Sequence, residues 1–235
     1  MIRQYPPTVP AAFAEVVEQY PDRPALIGED GRSWTYSALD DERLHAARAL
    51  IALGVQAGDR VSIWAQNCSE WVIAGLAIHS VGAILVPINT RMKGQEVGYA
   101  LKNSGARILL CPGDFLDSHY PTLLGDNRPD CVEQIVVIRD ARKEDMSWDA
   151  FLAHAESVSA DEVMGRCANV TADSVMDIMF TSGTTGLPKG VVTRHGQNLR
   201  VIREWCDRMQ MVPEDRYLIA NPFFHAFGYK VGWLG

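Results

Sequence analysis

Residues 181–190 read Thr181-Ser182-Gly183-Thr184-Thr185-Gly186-Leu187-Pro188-Lys189-Gly190. Four hydroxyls, three glycines and one lysine stand within ten residues. Glycine lets a backbone turn its N–H groups inward, because no Cβ opposes φ > 0. Successive inward N–H groups make a concave anion site. The hydroxyls add donors, Lys189 adds a charge, and Pro188 stiffens the loop by fixing its own φ. A triphosphate is the ligand that uses all of these. A flexible Ser/Thr/Gly linker would share the composition, but not the flanks. Met176-Asp177-Ile178-Met179-Phe180 leads in as a strand, and Gly190-Val191-Val192-Thr193 leads out as one. The spacing excludes a Walker A loop, which needs a glycine where Pro188 stands and a Ser or Thr where Gly190 stands. The β-branched run after Lys189 predicts a strand rather than a helix, so the motif reads as a strand–loop–strand hairpin.

Upstream, the chain alternates. Residues 10–20 read as an amphipathic helix. Ala25-Leu26-Ile27-Gly28 and Ser33-Trp34-Thr35-Tyr36 flank an Asp30-Gly31 turn, a hairpin signal. Ser37 with Asp40 resembles a capping box. It opens a helix with Leu39, Ala46, Leu50 and Leu53 inward, and Gly54 ends that helix. Strands are expected at 60–65, 83–88, 106–111 and 134–138, and helices at 69–80, 94–103 and 116–124. Nearly uninterrupted apolar strands separated by helices predict an α/β fold, a mainly parallel sheet with helices on both faces. Residues 139–173 read as a polar, helical connection docked by Trp148, Phe151 and Leu152. A helix at 197–209, a strand at 216–220 and an aromatic motif at 221–229 follow the hairpin. These patterns divide the chain into a first α/β subdomain at 1–170 and the start of a second, similar one at 171–235.

Composition narrows the function classes. The 235 residues are 47% hydrophobic, enough for a proper core, and carry a net charge of −7. That balance gives no basic surface for nucleic acid or anionic lipid. Cys68, Cys111, Cys131, Cys167 and Cys206 are scattered, odd in number and without a C-x-x-C pair. This fits reduced thiols in a cytoplasm rather than a disulfide framework. Trp71 to Ile88 is uncharged, but Gly82 and Pro87 divide it into a buried helix and a buried strand, so no transmembrane segment is expected. The oligomeric state is open, a homo-oligomer included.

Residues 180–190 resemble the phosphate-binding signature of the adenylate-forming enzymes, the superfamily of acyl-CoA synthetases, peptide-synthetase adenylation domains and luciferase. Residues 32–39, 54–61, 82–89 and 221–229 are similar to further blocks of that family, in the family's order, and span nearly the whole chain. The resemblance implies the N-terminal portion of that fold, and a chain ending in Val231-Gly232-Trp233-Leu234-Gly235 then reads as a truncation. It implies ATP as substrate, Mg2+ as its usual companion with a ligand beyond Gly235, and a thiol acceptor, commonly coenzyme A. A carboxylate would attack the α-phosphate, giving an acyl-adenylate and pyrophosphate, and the thiol would then displace AMP.

On this reading Thr181, Ser182, Gly183, Thr184, Thr185, Gly186 and Lys189 hold the phosphates. His225, set among Phe223, Phe224, Phe227 and Tyr229, approaches the substrate carboxylate and is the candidate catalytic residue. Phe224, His225, Phe227, Gly228 and Tyr229 are expected to bind the acyl group, with core packing the alternative for each aromatic. Lys230 reads either as a contact to a polar substrate group or as a side chain reaching solvent. His45, His79, His119, His154 and His195 read as surface or structural. Residues 221–230 most resemble a bacterial branch of fatty-acid-type CoA ligases that activates the propanoate side chains of degraded steroid rings. Three functions remain open at this point: an AMP-forming acyl-CoA ligase, an adenylation domain serving a carrier protein, and a nucleotide-binding fragment without catalysis.

Overall fold

The computed structural model describes residues 5–181 and 187–235. The amphipathic run near the N-terminus forms α1 (Val9–Gln19). The Asp-Gly signal forms the antiparallel pair β1 (Pro24–Ile27) and β2 (Ser33–Thr35), with Gly31 at φ +82° in the turn. Next come α2 (Tyr36–Ala52), β3 (Arg60–Ile63), α3 (Ser69–Ser80), β4 (Ile84–Pro87), α4 (Gly94–Ser104) and β5 (Ala106–Cys111). A small ribbon of β6 (Asp114–Phe115) and β7 (Ser118–His119) leads into α5 (Tyr120–Leu124). The remainder comprises β8 (Gln134–Val137), β9 (Met146–Ser147), α6 (Trp148–Ala153), α7 (Ala160–Asn169), β10 (Val175–Thr181), β11 (Lys189–Arg194), α8 (His195–Arg208) and a wide helical turn at Phe227–Trp233.

Seven strands form one sheet in the order β11-β10-β4-β3-β5-β8-β9. All neighbours are parallel except β10 and β11. Alternation along the strands sorts the two faces. Val61, Ile63, Leu85, Ile108, Leu110 and Val136 join one buried cluster with α2 and α3. Leu109 and Cys111 join Trp64 and Ile88 in a second cluster with α4 and α5. Helices therefore cover both faces, as the apolar strands predict. The hairpin strand β10, which lies beyond residue 170, pairs with β4 through Asp177 and Leu85, so the sheet runs across that position.

The uncharged run 71–88 resolves as expected into α3, buried along its whole length, and β4. Among the described residues no helix is long and apolar enough to cross a membrane. The five cysteines are free.

Two local expectations change. The cap of α2 is Thr35, whose hydroxyl accepts from the Ala38 amide at 3.2 Å, and not Ser37. The amides of Tyr36 and Ser37 donate to the carbonyls of Arg23 and Pro21 at 3.0 and 2.9 Å, which starts the helix two residues earlier. Residues 216–220 form no strand, and Leu218 is 89% exposed. A strand needs a neighbour for its backbone groups, and no described strand lies beside this apolar run.

Candidate functional site

Ligands of open α/β sheets bind at the carboxyl ends of the strands. Here that edge carries both sequence motifs. The β10–β11 hairpin has the register Phe180 opposite Gly190 and Thr181 opposite Lys189, so Thr181 and Lys189 stand opposite each other at the ends of the two strands. The Thr181 hydroxyl lies 3.5 Å from the Lys189 carbonyl oxygen. Lys189 is exposed, with no ion-pair partner among the described residues. Ser182, Gly183, Thr184, Thr185 and Gly186 lie outside the described residues. A free cation beside a strand end fits a polyanionic ligand. Among the described residues no group of three His, Cys, Asp or Glu could hold a metal ion.

The aromatic motif reaches the same edge through Asn67, which follows β3. The Asn67 amide donates to the Asn221 carbonyl at 2.9 Å and accepts from the Phe223 amide at 2.8 Å. One side chain thus pins the backbone on both sides of Pro222. Phe223 then turns inward and meets Trp71 edge-on, with ring centroids 5.5 Å apart. Phe224 is half-buried, and its ring lies 4.7 Å from that of His225, which is exposed. Phe227 is exposed along one side, its ring edge-on to Trp205 at 5.3 Å. Phe224, His225 and Phe227 therefore remain accessible to a ligand.

Gly228 and Tyr229 face the interior. A Cβ on Gly228 would fall 2.5 Å from the Asn221 carbonyl oxygen and closer still to that of Pro222. The missing side chain makes room for the chain's own turn. Tyr229 is fully buried, and its hydroxyl shares a 2.7 Å hydrogen bond with Nε2 of His79, 150 residues away. Its ring also lies edge-on to Trp71 at 5.7 Å and stacks on Trp233 at 5.5 Å. Burial pushes the Tyr229 hydroxyl well above its ordinary pKa and, helped by His195 and Lys230 nearby, holds His79 well below its own. Both groups are held neutral. His195 is buried beside His79, 5.3 Å between ring centroids, and burial lowers it to about 4. The turn at Phe227–Trp233 is wider than an α-helix, with the Leu234 amide donating to the Tyr229 carbonyl five residues back at 3.2 Å. Such turns recur at functional sites.

Lys230 is mostly buried and does not stand free for a substrate. Its ammonium lies 3.0 and 3.2 Å from the two carboxylate oxygens of Asp177 and 3.1 Å from the Thr193 hydroxyl. Thr193 donates to Asp177 at 2.8 Å, and the Asn198 amide donates to Thr193 at 2.7 Å. Burial raises the Asp177 carboxyl against the opposing pull of Lys230 and Thr193. Asn67, Asp177 and the His79–Tyr229 pair escaped the sequence reading. For Asp177 and His79 the one signal was a polar residue inside an otherwise apolar run; Asn67, beside Gln66 and near Ser69 and Glu70, gave none.

Two clefts lie away from this edge. One of about 370 Å³, lined by Gly58, Gly82, Arg166 and Ser174 among others, opens at the amino ends of β3, β4 and β10, at the opposite end of β10 from Thr181. Motif chemistry and strand direction both favour the carboxyl edge.

Comparison with known proteins gives the family and the fold. A family model described as AMP-binding enzyme matches residues 13–235. A 3-[(3aS,4S,7aS)-7a-methyl-1,5-dioxo-octahydro-1H-inden-4-yl]propanoyl:CoA ligase of Mycobacterium tuberculosis is 44% identical over 227 residues, covering 97% of this chain and 44% of the relative. A ligase of the same name from Rhodococcus jostii is 37% identical, covering 98% and 46%. The chain thus spans about half the length of the curated relatives it matches. The crystal structure of the anthranilate CoA ligase AuaEII with anthranoyl-AMP superposes with a TM-score of 0.81 at 25% identity, over 99% of this chain and 44% of that one. The N-terminal domain of FACL13 from Mycobacterium tuberculosis gives 0.81 at 25% identity, over 97% and 54%. With the β10–β11 hairpin and the aromatic segment on one edge of the sheet, and a family model matching nearly from end to end, the chain belongs to the AMP-binding enzyme family.

Proposed function

We propose that this chain is part of an ATP-dependent, AMP-forming acyl-CoA ligase that activates a bulky, largely apolar carboxylic acid, with a steroid-ring propanoate as the leading substrate. The observation that carries the reading is the convergence of Lys189 and Thr181 with the exposed Phe224, His225 and Phe227 on the carboxyl edge of the sheet. The Mycobacterium and Rhodococcus relatives, named for an indane-dione propanoate, supply the substrate class.

In this mechanism the loop at 182–186 and Lys189 take up charge on the β- and γ-phosphates as pyrophosphate leaves. Such preorganised donors are usually the largest source of rate enhancement. Mg2+ shares that charge when bound. His225, exposed and outside the aromatic core, donates a hydrogen bond to the attacking carboxylate. Phe224 and Phe227 cover the acyl group, whose buried surface contributes about 25 cal/mol per Å². Tyr229 supports this wall from behind. Coenzyme A then accepts the acyl group, in a cytoplasmic setting that suits the free thiols.

The test is kcat/KM of the full-length enzyme with acetate, octanoate, benzoate and the indane-dione propanoate, since that ratio measures specificity. The ring acid is expected to lead and acetate to trail. If acetate wins, the pocket reading is wrong. If octanoate clearly wins, the ligase reading stands and the steroid assignment falls.

A further inference from the structure

Asp177 is fully buried and the Lys230 side chain is 13% exposed, so both charges of their ion pair sit in the protein interior. Burying such a pair costs about as much as its attraction returns, and apolar replacements of similar volume are often as stable. Stability alone is therefore a poor reason for the pair. Its placement suggests a better one. Asp177 lies on β10 four residues before Thr181, and its cross-strand partner Thr193 lies on β11 four residues after Lys189. Both arms of the phosphate hairpin thus converge on one ammonium. That ammonium belongs to the residue after Tyr229, which α3 holds through His79. Two consecutive anchors on different elements fix the rotation of the turn at Phe227–Trp233. The Tyr229 amide also donates to the His225 carbonyl at 3.0 Å, which carries that rotation to His225.

We propose that Asp177 and Lys230 are a positioning pair that sets His225 and its aromatic neighbours against the phosphate hairpin; the proposal rests on the ligase reading above. An apolar pair would pack equally well but would leave the turn free to rotate, because only the ammonium has a single carboxylate to meet.

The test uses the full-length enzyme with the indane-dione propanoate. Lys230→Met alone is expected to lower Tm, since it strands a buried carboxylate. The double variant Asp177→Leu/Lys230→Met removes both charges and is expected to regain the wild-type Tm. Its kcat for ATP–pyrophosphate exchange should nevertheless stay about tenfold to a hundredfold down, the scale of a roughly 1 Å misplacement. KM for ATP and thioester formation from supplied acyl-adenylate should hold. Amide hydrogen exchange over Phe224–Tyr229 should quicken. A double variant with wild-type Tm and wild-type kcat overturns the proposal. If its Tm does not recover, Thr193→Val decides: this near-isosteric change removes the hydroxyl between the two charges. It leaves the Asn198 amide without this acceptor and is expected to lower Tm modestly; a severalfold fall in kcat measured well below that Tm supports the pair's role, and unchanged kcat refutes it. If the wild-type enzyme activates none of the acids, the ligase reading fails, and hydrogen exchange alone judges the pair. Faster exchange in the double variant then sustains the positioning role, and unchanged exchange removes it.

Discussion

Gly228→Ala gives a stringent reading of the aromatic segment. An added Cβ would stand 2.5 Å from the Asn221 carbonyl oxygen and closer to that of Pro222, where real Cβ contacts essentially never fall under 3.0 Å. The 221–222 turn must therefore retreat by at least about half an ångström. Neither neighbour is a flexible side-chain end, because both are backbone oxygens, and Asn67 holds the turn on both sides. Overpacking of this kind typically costs about 1–3 kcal/mol, and a rigid backbone neighbour argues for the upper half. Replacing a helical glycine by alanine returns at most about 1 kcal/mol. The net is a loss of about 2 kcal/mol, or roughly 4–8 °C in Tm for a chain of this size. Gly165→Ala in α7 is the matched control: nothing lies within 4 Å of its added Cβ, so propensity acts alone and Tm should rise slightly. The assays are thermal melts of both variants and ATP–pyrophosphate exchange in the full-length enzyme. Exchange should fall for Gly228→Ala and hold for Gly165→Ala. A Gly228→Ala protein as stable as Gly165→Ala would refute the close approach and the placement of Asn221–Pro222 behind the site.

Other outcomes follow from the same edge of the sheet. Lys189→Ala should impair adenylate formation and spare thioester formation from supplied acyl-adenylate, measured as separate half-reactions; equal losses would point to folding instead. Asn67→Ala leaves the Phe223 amide and the Asn221 carbonyl without their partner, and should cost about 1–3 kcal/mol of local stability. Hydrogen exchange at Phe223 reads this directly, and unchanged protection there would count against the anchor. His195 adds a pH dependence. Burial lowers its folded-state value from 6.5 to about 4. Above pH 6.5 both states leave it neutral and its contribution is fully present. Between 6.5 and about 4 the unfolded chain binds a proton that the folded chain refuses, so stability is lost as pH falls. Denaturant titrations at about pH 7 and about pH 5 should show this loss, and His195→Asn should reduce it, leaving the share that buried His79 contributes in the same direction. An undiminished slope in that variant would show that His195 contributes nothing and that His79 carries the dependence.

The sequence by itself determined what depends on neighbours along the chain. The α/β alternation, the buried helix at 69–80 and the β10–β11 hairpin follow from apolar period, glycine placement and β-branched runs. Each is local, and each appears where the pattern puts it. The proposed phosphate site is legible for the same reason, since its ten residues are adjacent in the chain. Tertiary structure decided the rest. Phe223, Phe224, Phe227 and Tyr229 look alike in sequence, yet two are core and two remain accessible. Lys230 reads as a solvent or substrate contact until Asp177 comes within 3.0 Å. The apolar run at 216–220 reads as a strand until no partner lies beside it. These outcomes depend on residues 53, 150 and 156 positions apart meeting in space: Lys230 with Asp177, Tyr229 with His79, Phe223 with Asn67. No periodicity records such distances, because they are set by how the sheet and its helices pack and not by the order of residues along either.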